Sequence, residues 1–448
     1  MVIFYDFSYL YKKPNNHTGI QRVIRCLFSA LQEVAPGQGV DAIVPVALVG
    51  ERFVAISEPS ILSQPSQRQS VAALRGTKAF VDAHRQDALG PKALARRLWN
   101  RVRGLDLPPV LQRSARYALN RVRDVADALS KPDSDLASIN PMPGDWFLTG
   151  DTAWDRSEQF WGIVDEWRGR GVKVVTIFYD ALPYTNPEFF LARNVQLWRN
   201  YFLRAIHSTD SWAAISEIAR HDLLRMIAME APAFKPIAIS FPMGVSREIL
   251  GFDPAWSIEG PADQGKVILC VGSLDARKGH AILLDALAKS KKAKVLVFGR
   301  DTGAGSQAMA SAILKHPLYG ARLFWIRDGS DRELAYWYQQ CCAIVCPSRA
   351  EGFGLPLIEA AWYGKRVIAN RIPIFEEVDA TYGLGVCFYE TDCSESLSLL
   401  LDQHALAEKA SADPRTLASG TINIPDWNTS AQRLLKALDA VMNARPLD

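Results

Sequence analysis

The chain has 448 residues, 48% of them hydrophobic and 22% charged, with a formal net charge of +3. That length exceeds what one hydrophobic core usually serves, so two domains are expected. The charge surplus is too small to argue for a nucleic-acid partner. Seven cysteines show no paired spacing, and the adjacent Cys341 and Cys342 suit reduced, buried thiols better than a disulfide framework. The opening Met1 to Asp6 has no basic n-region, and no later apolar run reaches the length of a membrane span. A reducing, cytoplasmic setting is therefore expected.

Val2 to Phe7 predicts a short buried strand. A loop ending at Gly19 follows, and Ile20, Val23, Ile24, Leu27, Phe28 and Leu31 then form an apolar stripe at helical spacing. Ligands of open α/β sheets bind at such strand ends. Ile43 to Val49 predicts the next strand. From about 50 to 140 the rhythm breaks: Pro59 to Ser70 predicts a loop, and basic stretches at 92–103 and 113–123 predict helices of an insertion. Trp146 to Leu148 and Val172 to Phe178 predict strands. The second ends in Tyr179-Asp180-Ala-Leu-Pro183. A helix over Phe189 to Ala205, a strand over Ser208 to Ile215, a helix capped by Ser216 and a strand over Ile237 to Phe241 complete the first half.

Ser246 to Gly265 predicts a connection. Strands over Val267 to Val271, Val295 to Phe298, Leu323 to Ile326, Ala343 to Cys346 and Arg366 to Ala369 then alternate with helices, the pattern of a second parallel sheet. Trp427 to Leu438 predicts a terminal amphipathic helix.

Two loops carry candidate chemistry. Gly272-Ser-Leu-Asp-Ala-Arg-Lys-Gly-His280 follows a strand and offers Gly272 and Ser273 for close backbone approach, with Arg277 and Lys278 for phosphate oxygens. A solvated helix start with two surface bases is the competing reading. Pro347-Ser-Arg-Ala-Glu-Gly-Phe-Gly-Leu-Pro-Leu-Ile-Glu359 places Gly352 and Gly354 before a helix whose positive end suits anions. Glu359 is expected in that helix's first turn, accepting ribose hydroxyls or acting on the helix dipole. Glu351 is expected to touch a sugar or lie at the surface. No Gly-Lys-Ser/Thr follows, so the loop is not a Walker motif. No His/Cys/Asp cluster argues for a metal. His17 and His280 are expected to make local polar contacts.

These motifs resemble those of retaining glycosyltransferases of family 4. Glu351-Gly-Phe-Gly-Leu-Pro-Leu-Ile-Glu359 is similar to the family's two-glutamate motif, and Val271-Gly-Ser-Leu-Asp-Ala-Arg-Lys-Gly279 to its basic loop. Phe241-Pro-Met-Gly-Val245, Thr18-Gly-Ile-Gln-Arg-Val23, Thr176-Ile-Phe-Tyr-Asp-Ala-Leu-Pro183 and Ile215-Ser-Glu-Ile218 also have counterparts there. The resemblance spans nearly the whole chain outside 50–140. It implies an α/β GT-B fold, two Rossmann-like domains facing across a cleft. Residues 1–245 would hold the acceptor and 246–425 the nucleotide-sugar, with 426–448 crossing back to the first domain.

The resemblance further implies that Arg277 and Lys278 contact a diphosphate and that Glu359 binds ribose. Glu351 would lie near the donor sugar, and the amides of Phe353, Gly354, Leu355 and Gly19 would face the donor. Asp180 would orient hydroxyls, a structural cap being the other reading. The implied activity is transfer of a hexosyl group from a nucleoside-diphosphate sugar, with retention and without a cofactor or enzymic nucleophile. Gly19-Ile-Gln-Arg22 resembles mannosyl- or rhamnosyl-type bacterial polysaccharide enzymes, which favours a mannosyl donor such as GDP-mannose; the alternative reading is a catalytically silent sugar-nucleotide-binding or scaffold protein, or another GT-B enzyme. The acceptor would be a glycan or lipid-linked glycan. Arg96, Arg97, Arg101 and Arg103 around Trp99 suggest peripheral contact with an anionic membrane at its cytoplasmic face, or a solvated basic face. Two positions depart from the family pattern: Tyr179 stands where many relatives have histidine, and Ser273 where many have arginine.

Overall fold

A computed structural model of the chain describes residues 1–13, 19–57, 59–62, 138–150, 154–245, 267–303, 305–405 and 424–442. His17, the basic stretches and the 246–265 connection lie outside them.

Among the described residues, two sheets form. The first contains β1 (Val2–Asp6), β2 (Ala42–Val49), β3 (Arg52–Ala55), β4 (Trp146–Thr149), β5 (Lys173–Phe178), β6 (Ser211–Ala214) and β7 (Ile237–Ser240). Their order is β3-β2-β1-β4-β5-β6-β7, parallel except where β3 turns back along β2. The second contains β8 (Val267–Val271), β9 (Lys294–Phe298), β10 (Leu323–Ile326), β11 (Ala343–Cys346), β12 (Arg366–Asn370) and β13 (Cys387–Tyr389). It is parallel throughout, in the order β10-β9-β8-β11-β12-β13. The central strands are continuous apolar runs because helices cover both faces, so side chains of either parity are buried.

The longer helices are α1 (Gly19–Val34), α2 (Glu158–Gly169), α3 (Ala192–Ser208), α4 (Glu217–Glu230), α5 (His280–Lys289), α6 (Ser306–Lys315), α7 (Asp331–Gln340), α8 (Leu355–Trp362), α9 (Pro373–Tyr382), α10 (Ser394–Ala405) and α11 (Trp427–Met442). Apart from half-buried Ile20, the apolar stripe of α1 is buried, and so are Gln21, Arg25 and Cys26. One face packs on the first sheet. The terminal helix α11 packs along α1, and Asn428 Nδ2 donates to Glu33 Oε2 at 2.8 Å. Ala431, Leu434, Leu435 and Leu438 of α11 are buried.

Several boundaries differ from the sequence expectations. Arg52–Ala55 lies inside the range read as an insertion, yet it pairs with β2 and belongs to the first sheet. Pro59–Leu62 forms a helical turn within the expected loop, where the Ile61 carbonyl accepts from buried Arg25 Nε at 3.0 Å. Ser208 ends α3, and β6 begins only at Ser211. The α2 helix and the short strand β13 were not anticipated. Ser216 does cap α4, its side chain accepting from the Ala219 amide.

Each sheet has one point where successive connections run to opposite sides: between β1 and β4 in the first, and between β8 and β11 in the second. Open α/β sheets bind ligands in the crevice such a reversal leaves at the strands' carboxyl ends. Two chain crossings join the domains side by side. Val245 pairs with Asp426 in a β-bridge, its amide donating to the Pro425 carbonyl at 3.1 Å. Among the described residues, no helix is long and apolar enough to cross a membrane.

Candidate functional site

The crevice between β8 and β11 opens into a cleft of about 930 Å³ lined from both domains. That volume is in the range of small-molecule sites. Gly19, Asp180, Gly272, Ser273, Arg277, Lys278, Glu351, Phe353, Gly354, Leu355 and Glu359 all line it, so every candidate site residue reaches one place.

The basic loop is held by its caps. Asp275 accepts from the Arg277 amide at 3.1 Å and starts a short 3-10 turn over Ala276–Lys278. Gly279 then takes a left-handed φ of 68°, and a Cβ there would lie 1.9 Å from the Pro347 carbonyl oxygen. Only glycine lets the turn press this closely against the end of β11. The Arg349 amide donates to the Arg277 carbonyl at 2.7 Å, tying the two loops together.

Glu351 is the centre of the joined loops. Its Oε1 accepts from Lys278 Nζ at 2.5 Å and from Ser348 Oγ at 2.7 Å, and its Oε2 accepts from Arg277 Nη1 at 2.9 Å. Burial pushes this carboxyl upward, but Lys278 and Arg277 outweigh it and hold it down to about 2. Glu351 is therefore a largely covered, ionised group rather than a surface one, its side chain 9% exposed. Arg277 and Lys278 are likewise not free surface bases.

Across the cleft, Asp180 faces this cluster from the end of β5. Its Oδ1 accepts from the Leu182 amide two residues on, at 3.1 Å, a local turn contact, and its Oδ2 approaches Gly352. Burial pushes the Asp180 carboxyl up, with Arg277 opposing. Tyr179 donates its hydroxyl to the Gly150 carbonyl at 2.8 Å, so this donor is directed into the first domain.

Helix α8 begins at Leu355 with Gly354 as its cap. Glu359 is the fifth residue of this helix and lies in its second turn, not the first, so the helix-dipole reading fails. The side chain is buried and accepts from Tyr338 Oη at 2.7 Å. Phe353 packs edge-on to Tyr382, with ring centroids 6.3 Å apart. Gly19, at the start of α1, sits opposite, where a Cβ would be 3.7 Å from Leu355 Cδ1. Two helix N-termini thus face one another across the cleft, and first-turn amides lack intrahelical acceptors.

The positive character is local. Six basic and seven acidic side chains line the cleft, and the cations nearest its centre rest on carboxylates. An incoming anion must compete with Glu351 for Arg277 and Lys278. His280 makes no local polar contact of the expected kind. It is 2% exposed, and among the described residues neither ring nitrogen has a hydrogen-bond partner.

Sequence reasoning missed Arg22. It stands on α1 with its Nη1 2.5 Å from Glu359 Oε1 and its Nη2 3.3 Å from Asp331 Oδ1, joining the two domains. A polar residue three positions beyond a glycine-bearing loop was the available signal. Also unanticipated is a buried pair at the first sheet's own crossover point, where Arg156 Nη2 donates to Asp6 Oδ2 at 2.5 Å.

Residues 256–415 match the family model described as glycosyl transferases group 1. Over 300 residues the chain is 28% identical to the serotype-specific mannosyltransferase WbdA of Escherichia coli, covering 63% of this chain and 35% of that protein. It is 27% identical over 242 residues to phosphatidyl-myo-inositol mannosyltransferase of Mycobacterium tuberculosis, covering 51% of this chain and 60% of that one. The chain therefore spans about a third of the length of the first relative and less than two thirds of the second. Among solved structures, Anabaena HepE in complex with UDP and glucose superposes with a TM-score of 0.55 at 15% identity, covering 98% of this chain and 100% of that one. Sucrose-phosphate synthase from Thermosynechococcus elongatus superposes with a TM-score of 0.55 at 14% identity, covering 99% and 100%.

Proposed function

We propose that this chain, whose residues 256–415 match the group 1 glycosyl transferase model and whose fold is GT-B, is a glycosyltransferase that transfers a hexosyl group, with retention, from a nucleoside-diphosphate sugar to a glycan or lipid-linked acceptor. The observation that carries this reading is the Lys278–Glu351–Arg277 cluster facing Asp180, between the N-termini of α1 and α8.

The difficult event in such a transfer is departure of the diphosphate as negative charge gathers on it. Lys278 and Arg277 sit where they can exchange Glu351 for phosphate oxygens, and the first-turn amides of both helices add fixed positive dipoles. Glu351, once released, accepts hydroxyls of the donor sugar. Glu359 accepts from the ribose. In the retaining path the acceptor hydroxyl attacks the face that the diphosphate leaves, and a leaving phosphate oxygen takes its proton. No side-chain nucleophile takes part. Asp180, at the acceptor side, orients a hydroxyl through the oxygen not bound to the Leu182 amide. Retention, family 4 membership and these residue roles belong to the proposal.

The names of the mannosyltransferase relatives support a mannosyl donor, and GDP-mannose is our first choice. Contact with an anionic membrane at its cytoplasmic face is part of the same proposal. The arginines that would make it, Arg96, Arg97, Arg101 and Arg103, lie outside the described residues.

The direct test is a thermal-shift and transfer screen with GDP-, UDP- and dTDP-sugars against extracted glycan acceptors, with the product's anomeric configuration read by NMR. We expect a GDP-selective response and a retained configuration. A UDP-selective response would replace the mannosyl assignment, and inversion would remove the mechanism. Lys278→Ala should lower turnover by about 10²–10³-fold, as for loss of one preorganised charge-stabilising donor.

A further inference from the structure

Arg22 has no part in the chemistry above, yet it occupies a group that chemistry needs. Its Nη1 donates to Glu359 Oε1 at 2.5 Å, while Glu359 Oε2 accepts from Tyr338 Oη at 2.7 Å. Both oxygens of the carboxylate assigned to ribose are therefore engaged by protein groups. One of the partners is a cation reaching over from the opposite domain. The side chains of Arg22 and Glu359 are 22% and 8% exposed, so solvent weakens this contact less than it does a surface pair. Arg22 also lines the cleft itself.

We propose that Arg22 is a cross-cleft latch: it holds Glu359 until the donor's ribose displaces it, and it then stays anchored on Asp331. This rests on the donor-site reading given above. Asp331 is what makes the exchange feasible. Its Oδ1 already accepts from Arg22 Nη2 at 3.3 Å, so the guanidinium keeps a counter-charge when Glu359 turns to the ribose. A buried cation left with no partner would oppose the exchange strongly. The forked guanidinium can hold two carboxylates at once, whereas a lysine ammonium is a single point of charge.

The latch gives nucleotide occupancy a route to the acceptor domain. Arg22 lies one turn into α1, and the first residue of that helix, Gly19, sits against Leu355 at the start of α8. Ribose binding changes the partner of Arg22 and so shifts the balance of contacts between α1 and the second domain. A ligand moves a conformational equilibrium only through such differential contacts. Arg22 is a positioning residue in this scheme, acting through Glu359.

The test is isothermal titration of GDP, UDP and dTDP into wild-type, Arg22→Ala, Arg22→Lys and Lys278→Ala proteins, together with steady-state transfer. Arg22→Ala should bind its nucleoside diphosphate roughly tenfold more tightly, since one charge-assisted contact no longer has to be broken. Its kcat should fall, because the Asp331 anchor of the loaded state is lost. Arg22→Lys should fall between Arg22→Ala and wild type in both quantities. A merely structural defect would weaken both binding and turnover. Arg22→Gln, uncharged and of similar reach, repeats the measurement should Arg22→Ala fail to fold. Weaker nucleotide binding in Arg22→Ala would make Arg22 a donor ligand or a structural support, and unchanged binding would leave it without a role; either result overturns the latch. Failure of the donor-site reading looks different. In that case wild type binds none of the three nucleotides, or Lys278→Ala binds them as wild type does, and the latch falls with its premise.

Discussion

Glu351 and His280 both feel the charge of Lys278 and respond to it in opposite ways. Glu351 gains from Lys278 and Arg277 more than burial takes away, and it stays ionised. His280 is buried with no polar partner among the described residues, and burial, assisted by Lys278, pushes its imidazole down to about 4. Its folded value lies below the ordinary 6.5, so the neutral form is the one the fold accommodates. The stability this contributes is fully present above pH 6.5 and is lost as pH falls from 6.5 toward 4. Between pH 7 and pH 5 the loss should be about 2 kcal/mol. His280→Phe, which cannot take up a proton, should flatten that part of the stability curve in urea unfolding at the two pH values. An equally steep fall in the variant would remove His280 as its source. The residue types at this site were legible in the sequence, because a glycine-bearing strand end with two bases is a recognisable pattern. Their partners were not, because Glu351 and Lys278 are 73 positions apart and meet only when β8 and β11 pair.

At the level of elements, what decides the site is how closely loop ends approach. Gly352 has no side chain to keep the two domains apart, and a Cβ there would lie 2.7 Å from Asp180 Oδ2. Gly352→Ala should therefore hold Asp180 back from the Glu351 cluster. Misplacement on the ångström scale costs catalysis about 10²-fold. We expect turnover to fall by that order in steady-state transfer assays while the melting temperature changes little. Normal turnover would mean that Asp180 need not close on the loop. Strand periods and apolar runs identified the sheets' central strands well, since burial on both faces leaves them no polar positions. The α2 helix escaped notice although Ser157 caps it, accepting from the Phe160 amide at 3.2 Å. The placement of Glu359 was off by a turn because α8 starts at Leu355, capped by a glycine rather than by a side chain that the sequence would advertise.

Across the whole molecule, the domains are joined by contacts of different kinds. The paired crossings at Val245 and Asp426 are backbone. Beyond them, the Glu377 carboxylate of α9 accepts from the amides of Glu217 and Ile218 at 2.7 and 2.8 Å, capping the N-terminus of α4 from the other domain. Near the cleft, Arg22 spans to Glu359 and Asp331. The terminal helix adds an apolar link, laid against α1. Leu434 is fully buried there, so Leu434→Ala should cost about 2–5 kcal/mol in urea unfolding, the range for a leucine removed from a packed core. A loss below 1 kcal/mol would show that α11 is only loosely held.

The sequence alone determined the alternation of strands and helices, the parallel sheets that follow from it, and the two loops that carry charge and glycine. All of these depend on local spacing. Only the tertiary structure decided that Glu351 would neutralise Arg277 and Lys278, that Arg22 would reach over to Glu359, and that α1 would be covered on a second face by α11. Those contacts join residues far apart in the chain, and no local periodicity encodes which distant partner will satisfy a buried charge or cover an apolar surface.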